Sequence, residues 1–217
     1  MKRILFLLMV LTPGVGAQPF DGLSEAIEEG DFGNIKAVVV SRRGEVIYEN
    51  YFRETSAEDL HQVQSVTKSV GSALLGIAHR KGQVRLDQGL EDYFSGLYNM
   101  AQAPFLDKSP ITVEQVLTHR LGISWDETST DYRNELNSTN RMINSPDWYR
   151  YVLTQPMATE PGQNFTYSSG ASTLMSRVVR VATGMGPEEY AQAELFDPLG
   201  FGPVHWELYS EEGPGTG

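Results

Sequence analysis

The interpretation of this chain depends on residues 64–69, which read Gln64-Ser65-Val66-Thr67-Lys68-Ser69. Behind this stretch, apolar side chains recur at the spacing of one helix face, and the pattern predicts a helix from Val66 to Arg80. Its predicted core-facing residues are Val66, Val70, Ala73, Leu74 and Ile77. Positions i and i+3 of a helix share a face, so the Ser65 hydroxyl and the Lys68 amine can approach hydrogen-bonding distance.

The spacing of Ser65 and Lys68 is that of a nucleophile and its base. A serine hydroxyl is a weak nucleophile until a base takes its proton, and a lysine can take it when its surroundings favour the neutral amine. Exposed N–H groups at a helix start also favour a developing negative charge. The same spacing arises by chance, with a serine at a helix start and a solvated lysine one turn later. The small and apolar residues 69–75 favour a partly buried Lys68, and therefore the catalytic interpretation.

The composition indicates a globular protein and excludes several kinds of function. Of the 217 residues, 40% are hydrophobic and 21% are charged, as in a domain with a buried core. The net charge of -11 argues against nucleic acid or an anionic membrane surface as partner. The absence of cysteine excludes disulfides, thiolate metal sites and a cysteine nucleophile. The motifs Gly-x-Ser-x-Gly and His-Glu-x-x-His are absent as well.

Residues 1–17 have the three parts of a secretory signal peptide. Lys2 and Arg3 give the basic start, residues 4–11 the apolar stretch, and residues 15–17 a small-residue cleavage site before Gln18. The apolar stretch is too short to span a bilayer, and no later segment is apolar enough to do so. The alternative is a buried N-terminal strand or helix. We expect cleavage after residue 17 and a periplasmic or secreted protein.

The rest of the chain reads as one hairpin followed mostly by helices. A β-hairpin is predicted from Ile35–Ser41 and Glu45–Phe52, with a turn between them. Further helices are predicted at Ile111–His119, Asp147–Leu153, Ser172–Thr183 and Pro187–Phe196, the last one broken by Asp197-Pro198, and a polar loop at Asp126–Asn140. A two-stranded hairpin is marginal by itself. Either the fold is mainly helical with a small sheet, or further strands lie outside these residues.

Three blocks of sequence, in order, resemble serine β-lactamase-like hydrolases, the relatives of class C β-lactamases, penicillin-binding proteins and family VIII carboxylesterases. The blocks are residues 64–69, Leu117-Thr118-His119-Arg120-Leu121-Gly122-Ile123-Ser124-Trp125, and Glu160-Pro161-Gly162-Gln163-Asn164-Phe165-Thr166-Tyr167-Ser168-Ser169-Gly170. The resemblance runs from about Ile35 to Phe201. It implies an α+β fold of the β-lactamase/transpeptidase type, an antiparallel sheet flanked by helices plus a helical lobe, with the active site between them. It also implies that no cofactor or metal is needed.

The second motif of this family, Tyr-x-Asn or Tyr-x-Ser, matches at four tyrosines, which are Tyr48, Tyr93, Tyr132 and Tyr167. Only Tyr167 has the family's Pro-Gly lead-in, whereas the others lie in a predicted strand, an aromatic cluster and a polar loop. By resemblance, Tyr167 would act with Lys68 as general base or pass a proton to the leaving group. Ser169 would hydrogen-bond Lys68 or the substrate, in a position where many relatives have asparagine.

Two further residues of the second block have a functional and a structural interpretation. His119 could be read as the base of a Ser-His pair, but a histidine that caps or packs beneath the site is the favoured interpretation, since a Ser-Lys-Tyr set needs none. Trp125 could line the pocket or lie in the core.

The family's third motif, Lys/His-x-Gly on a later strand, has no convincing copy, because His205-Trp206-Glu207 lacks the glycine. We therefore expect residues 18–217 to be the N-terminal portion of a longer, C-terminally truncated domain that lacks part of its sheet.

The predicted activity is acyl transfer from a small-molecule ester or amide to water, through an acyl-enzyme on Ser65. A broad serine hydrolase or esterase is the first choice. The alternatives are a β-lactamase or DD-peptidase acting on cell-wall-type substrates, an amidase for short oligoamides, and a non-catalytic fragment or binding module of the same fold. All the enzymes share their catalytic residues, so the sequence does not separate them, and it leaves the oligomeric state open.

Overall fold

The computed structural model describes residue 20 and residues 22–206. The chain divides into two compact units, one up to His61 and one from Gln62 onward. The predicted signal peptide at residues 1–17 lies outside the described residues.

The first unit consists of one helix and the predicted hairpin. Helix α1 spans Leu23–Glu29, and the antiparallel strands are β1, Ala37–Arg42, and β2, Glu45–Tyr51. The two-residue turn Arg43-Gly44 has φ of 56° and 85°, the positive values that match the twist of a tight hairpin. Within this unit the hydroxyl of Ser24 bonds Tyr48 and Asn50 of β2, at 2.7 and 2.8 Å, which ties α1 to the strand. The hairpin prediction is confirmed.

The second unit is helical. A 3₁₀ turn at Gln64–Val66 leads into α2, and the helices are α2 Thr67–Arg80, α3 Glu91–Phe94, α4 Val113–Leu117, α5 Ser138–Ile143, α6 Trp148–Leu153, α7 Ser169–Thr183, α8 Pro187–Ala191 and, after a π-helical turn at Gln192–Phe196, α9 Asp197–Leu199. The sequence also predicts that Thr112 caps its helix, and this cap is present at α4. Thr112 and Gln115 form a reciprocal capping box at α4, and the Asp147 side chain accepts from the Arg150 N–H at the start of α6.

Helix α7 is the centre of this unit and packs against α2, α4 and α6. Eight of its residues are buried, including Leu174 and Val178, whose side chains are fully inaccessible. Because α7 also contacts α3, α5 and α8, the loops that enter and leave it are held against the same core. The segment before α7 contains Tyr167, so the core fixes the place of a predicted site residue.

Several predicted details of the helices are wrong. On α2 the buried face consists of Leu74, Leu75 and Ala78, with Val70 and Ile77 packed against it, whereas Val66 and Ala73 are exposed. Val66 belongs to the 3₁₀ turn, where the residue spacing of an α-helix does not apply. On α7 the spacing of apolar residues predicts one shared face of Leu174, Val178 and Val181. The first two are buried, but Val181 is 41% exposed.

Three predicted boundaries also differ from the structure. Helix α5 begins at Ser138, inside the predicted loop at residues 126–140, because the Asn137 side chain accepts from the N–H groups of Thr139 and Asn140. Helix α7 begins three residues early, at Ser169. The chain continues as a helical turn through Asp197-Pro198 to Leu199, since proline is tolerated in a first turn.

The described residues contain a single sheet of two antiparallel strands, together with the helices above. This is the α+β combination that was predicted. No helix within the described ranges is both long and apolar enough to cross a membrane.

Candidate active site

The first two predicted site residues lie where the 3₁₀ turn passes into α2. Ser65 is exposed, and Lys68, in the first turn of α2, is half-buried. The preceding Gln64 has φ of 48°, a left-handed conformation that non-glycine residues seldom adopt. This bend presents the serine hydroxyl on the side of the helix that also holds the lysine.

The four predicted site residues are brought together in one cluster. The Lys68 Nζ lies 3.1 Å from Ser65 Oγ, and the Tyr167 hydroxyl donates to the same oxygen at 2.8 Å. Lys68 Nζ also donates to Ser169 Oγ at 3.4 Å and lies 5.0 Å from the centroid of the Tyr167 ring. The Ser65 oxygen therefore has an amine on one side and a phenol on the other.

The Tyr167 segment is positioned by backbone hydrogen bonds to the second sequence block. The Thr166 N–H donates to the His119 carbonyl at 2.9 Å, and the Gly162 N–H donates to the Arg120 carbonyl at 2.7 Å. At the end of the segment, the Ser168 side chain accepts from the Ala171 N–H and caps α7. The segment that carries the Tyr167 phenol is thus fixed on both sides of this residue.

Two glycines of the sequence blocks are required by close packing. Gly122 has φ of 78°, and a Cβ atom there would lie 2.4 Å from the Thr159 carbonyl oxygen. At Gly170 a Cβ atom would lie 2.8 Å from the Trp125 ring. Trp125 is buried, so it belongs to the core beneath the site.

His119 supports the site from below. Its Nδ1 accepts from the Ser168 N–H at 3.0 Å, which leaves a ring proton on Nε2, and its ring stacks on Phe165 and Tyr167 with centroid distances of 5.9 and 5.7 Å. Burial, followed by the positive charge of Lys68, lowers the pKa of His119, so the ring is neutral at neutral pH. This is the packing role favoured by the sequence interpretation, and not that of a base for the serine.

Sequence reasoning missed one residue of this region, Glu127. Its side chain is 1% exposed, and its carboxylate accepts a 2.7 Å bond from the Ser169 N–H and a 2.9 Å bond from the Ser169 hydroxyl. Burial by itself raises the pKa of Glu127, but the bonds from Ser169, Thr139 and Trp125 outweigh it, and the net pKa is lowered. The available signal was an acidic residue two positions after a buried tryptophan, at the end of the second block.

A cleft of about 450 Å³ opens over the nucleophile. It is lined by Ser65, Lys68, Ser69, Ser72, His119, Phe165 and Tyr167. One wall is hydroxyl-rich and formed by α2, and the other is the stacked rings. Among the residues that the structure describes, no group of three or more His, Asp or Glu side chains could hold a metal ion.

A chain in which a serine, a lysine and a tyrosine meet in this way, in an α+β fold, has the architecture of serine β-lactamase-like proteins. The Beta-lactamase family model matches residues 32–216. The chain therefore belongs to the beta-lactamase family.

Individual proteins agree with this assignment. The chain is 31% identical over 98 residues to lovastatin esterase from Penicillium rubens. This match covers 42% of this chain and 23% of that protein. Two solved structures share the fold at 20% identity and a TM-score of 0.63. One is a D-stereospecific amidohydrolase from Streptomyces sp., where the match covers 89% of this chain and 59% of that chain. The other is the octameric penicillin-binding protein homologue from Pyrococcus abyssi, where the match covers 86% of this chain and 43% of that chain. The chain spans less than two thirds of the length of each of these three proteins.

Proposed function

We propose that this protein is a serine hydrolase in which Ser65 is the nucleophile, Lys68 is its general base and Tyr167 is the proton donor to the leaving group. The observation that supports the proposal is the position of Ser65 Oγ between the Lys68 amine, at 3.1 Å, and the Tyr167 hydroxyl, at 2.8 Å. These distances are within the range in which protons pass between groups.

In the first half of the reaction, Ser65 Oγ attacks the carbonyl carbon of an ester or amide, and its proton passes to the neutral Lys68 amine. The tetrahedral intermediate collapses by breaking the bond to the leaving group. The Tyr167 phenol gives that group a proton and is reprotonated by the Lys68 ammonium. The products are a free alcohol or amine and an acyl ester on Ser65.

In the second half, the same groups act on water. Lys68, neutral again, takes a proton from a water molecule that attacks the acyl carbonyl, and the bond to Ser65 Oγ breaks. The proton returns to Ser65, and the carboxylic acid product leaves. Ser169 accepts a hydrogen bond from the Lys68 amine and limits its orientation. A contact of Ser169 with substrate stays a prediction.

Among substrates, we favour esters with an apolar acyl or alcohol group. The cleft wall formed by Phe165, His119 and Tyr167 is aromatic, and Phe165 is 64% exposed at its edge. The Penicillium relative is named an esterase. The second candidate substrate is a β-lactam or a D-Ala-D-Ala peptide, and the third is a short oligoamide.

Labelling with a fluorophosphonate, followed by mass spectrometry, tests the proposal. An adduct on Ser65 that is lost in Ser65→Ala is the expected result, with Ser69→Ala as a control that keeps the adduct. Failure to label Ser65 in the folded protein overturns it. Turnover of a nitrophenyl ester, nitrocefin and a D-Ala-D-Ala peptide then ranks the substrates, and activity on nitrocefin alone contradicts the choice of an ester.

We further propose that residues 1–17 are a cleaved export signal and that the mature protein is periplasmic or secreted. The basic start, the apolar stretch and the small residues before Gln18 support this proposal. Mass spectrometry of the protein from a bacterial host tests it, since the expected N-terminal residue outside the cytoplasm is Gln18. An intact Met1 on exported protein contradicts it.

A further inference from the structure

We propose that Glu127 is a positioning residue, which sets the direction of a hydrogen-bond chain that runs from Tyr167 through Ser65, Lys68 and Ser169 to its own buried carboxylate. The inference rests on the proposed function, because it assigns a role within the same nucleophile system. Glu127 itself is not among the residues that line the cleft.

The first step is that Glu127 is a fixed hydrogen-bond acceptor. Five hydrogen bonds from four residues converge on its two oxygens. Oε2 accepts from Trp125 Nε1 at 2.6 Å, Thr139 Oγ1 at 2.6 Å and the Ser169 N–H at 2.7 Å, and Oε1 accepts from the hydroxyls of Ser169 at 2.9 Å and Tyr132 at 3.1 Å. None of these donors carries a positive charge. Only an ionised carboxylate can accept all five, and the lowered pKa of Glu127 agrees with that state.

The second step concerns the Ser169 hydroxyl. A hydroxyl has a single hydrogen, and because a carboxylate can only accept, that hydrogen points at Glu127 Oε1. The Ser169 oxygen therefore turns its lone pairs toward Lys68 Nζ, 3.4 Å away. Lys68 donates an N–H to Ser169, and the lone pair of its neutral form remains for another partner.

The third step connects this arrangement to the nucleophile. Ser65 Oγ is the other partner of Lys68 Nζ, at 3.1 Å, so the free lone pair of the amine can accept the Ser65 proton. The Tyr167 hydroxyl in turn donates to Ser65 Oγ at 2.8 Å. When Lys68 is the neutral amine of the proposed mechanism and accepts from Ser65, each group donates to the next, and the hydrogen-bond chain ends on the Glu127 carboxylate. Such a chain polarises its members in one direction.

An amide at position 127 would reverse this direction without changing the shape of the side chain. In Glu127→Gln the amide oxygen suits the Oε2 site, where the N–H donors of Trp125 and Ser169 converge. The NH₂ group then faces the Ser169 hydroxyl and donates to it. The Ser169 hydrogen is released toward Lys68, where it competes with Ser65 for the lone pair of the amine.

The alternative is that Glu127 only anchors its loop, through Trp125 and Thr139, to the start of α7. That role would lower stability, and any loss of reactivity would occur whether or not Ser169 has a hydroxyl. Positioning through Ser169 requires instead that the effect of Glu127 disappear when the Ser169 hydroxyl is removed. A double-mutant cycle therefore distinguishes the two roles.

The experiment measures fluorophosphonate labelling of Ser65 against reagent concentration, for the wild type, Glu127→Gln, Ser169→Ala and the double variant. We expect Glu127→Gln to lower the limiting rate by about tenfold or more and to leave the half-saturating concentration within about twofold. In the Ser169→Ala background, the same substitution lowers the rate by less than about twofold. Glu91→Gln is the matched control, because Glu91 also accepts from a serine hydroxyl, that of Ser109 at 2.9 Å, outside the cleft lining.

The outcomes separate the two proposals. No labelling of Ser65 in the wild type overturns the proposed function. If the wild type is labelled, equal rates for wild type and Glu127→Gln, or equal losses in both backgrounds, overturn the positioning role alone. If Glu127→Gln does not fold, the Ser169→Ala variant tests the positioning role instead. A limiting labelling rate equal to that of the wild type then excludes the hydrogen-bond chain through Ser169.

Discussion

The Tyr167 hydroxyl donates to Ser65 Oγ at 2.8 Å, although 102 residues separate the two in sequence. Helix α2, which follows Ser65, and helix α7, which follows Tyr167, pack against each other, so the two segments arrive at one end of the same helix pair. Catalysis by Tyr167 would depend on this packing.

Tyr167→Phe is expected to lower the rate of Ser65 acylation by about 10²–10⁴-fold, because the ring remains and only the proton-transferring hydroxyl is lost. Hydrolysis of an alkyl ester measures this rate, because an alkoxide leaving group needs a proton, whereas a nitrophenolate leaves without one. The control is Tyr93→Phe, which removes the hydroxyl of a buried tyrosine that donates to Gln88 at 2.8 Å and is not among the cleft-lining residues. An equal loss in both variants would show that the Tyr167 effect is structural.

Lys68→Met is expected to abolish detectable labelling of Ser65, with a drop of about 10²-fold or more, while the protein stays folded. The side chain is half-buried and retains its apolar contacts, but no base is left to take the serine proton. Labelling with a fluorophosphonate measures the loss. Lys81→Met, which removes the ion pair with Glu194 at the other end of α2, is the control and should label like the wild type. A Lys68→Met variant that labels at the normal rate would require a different base.

Gly122→Ala is expected to destabilise the second unit strongly. Its φ of 78° costs a residue with a Cβ atom about 1–3 kcal/mol, and the contact with the Thr159 carbonyl adds to this. Urea unfolding measures the effect. Gly76→Ala, in the middle of α2 with no atom within 4 Å of the added Cβ, should instead stabilise the protein by up to about 1 kcal/mol. Similar stabilities for the two variants would contradict the close packing at Gly122.

His119 should give the free energy of unfolding a specific pH dependence. Burial and the charge of Lys68 lower its pKa in the folded protein, so the unfolded state binds the proton more tightly. The stabilisation by neutral His119 is complete above the unfolded value of about 6.5 and decreases as the pH falls below it. His119→Asn is a suitable variant, since asparagine tolerates the positive φ of 56° at this position.

Urea unfolding of wild type and His119→Asn between pH 5 and pH 8 measures this effect. We expect the wild type to be more stable than the variant at pH 8 by an amount that shrinks toward pH 5. The other titrating groups are present in both proteins, so their contributions to the free energy of unfolding cancel in this difference. A difference that stays constant, or grows toward pH 5, would show that His119 is not held in its neutral form.

Much of the local structure could be predicted because it depends on neighbouring residues. The tight turn at Arg43-Gly44 and the Thr112 cap of α4 involve contacts within about four residues. The boundaries that were missed depend on interactions of another kind. The start of α5 needs the buried Asn137, whose amide also donates to the carbonyls of Glu127 and Thr130, at 3.1 and 3.2 Å. A periodicity of apolar residues does not report such contacts.

The sequence by itself determined the pairing of Ser65 with Lys68, because residues three apart at a helix start meet through the geometry of one turn. With the Pro-Gly lead-in, it also distinguished Tyr167 from three other tyrosines of the same motif. Only the tertiary structure decided that Tyr167 and Ser169 lie against this pair and that Glu127 stands behind them as a buried acceptor. The physical reason is that these contacts join segments 42 to 102 residues apart, and they form when α7 packs against α2 and α4.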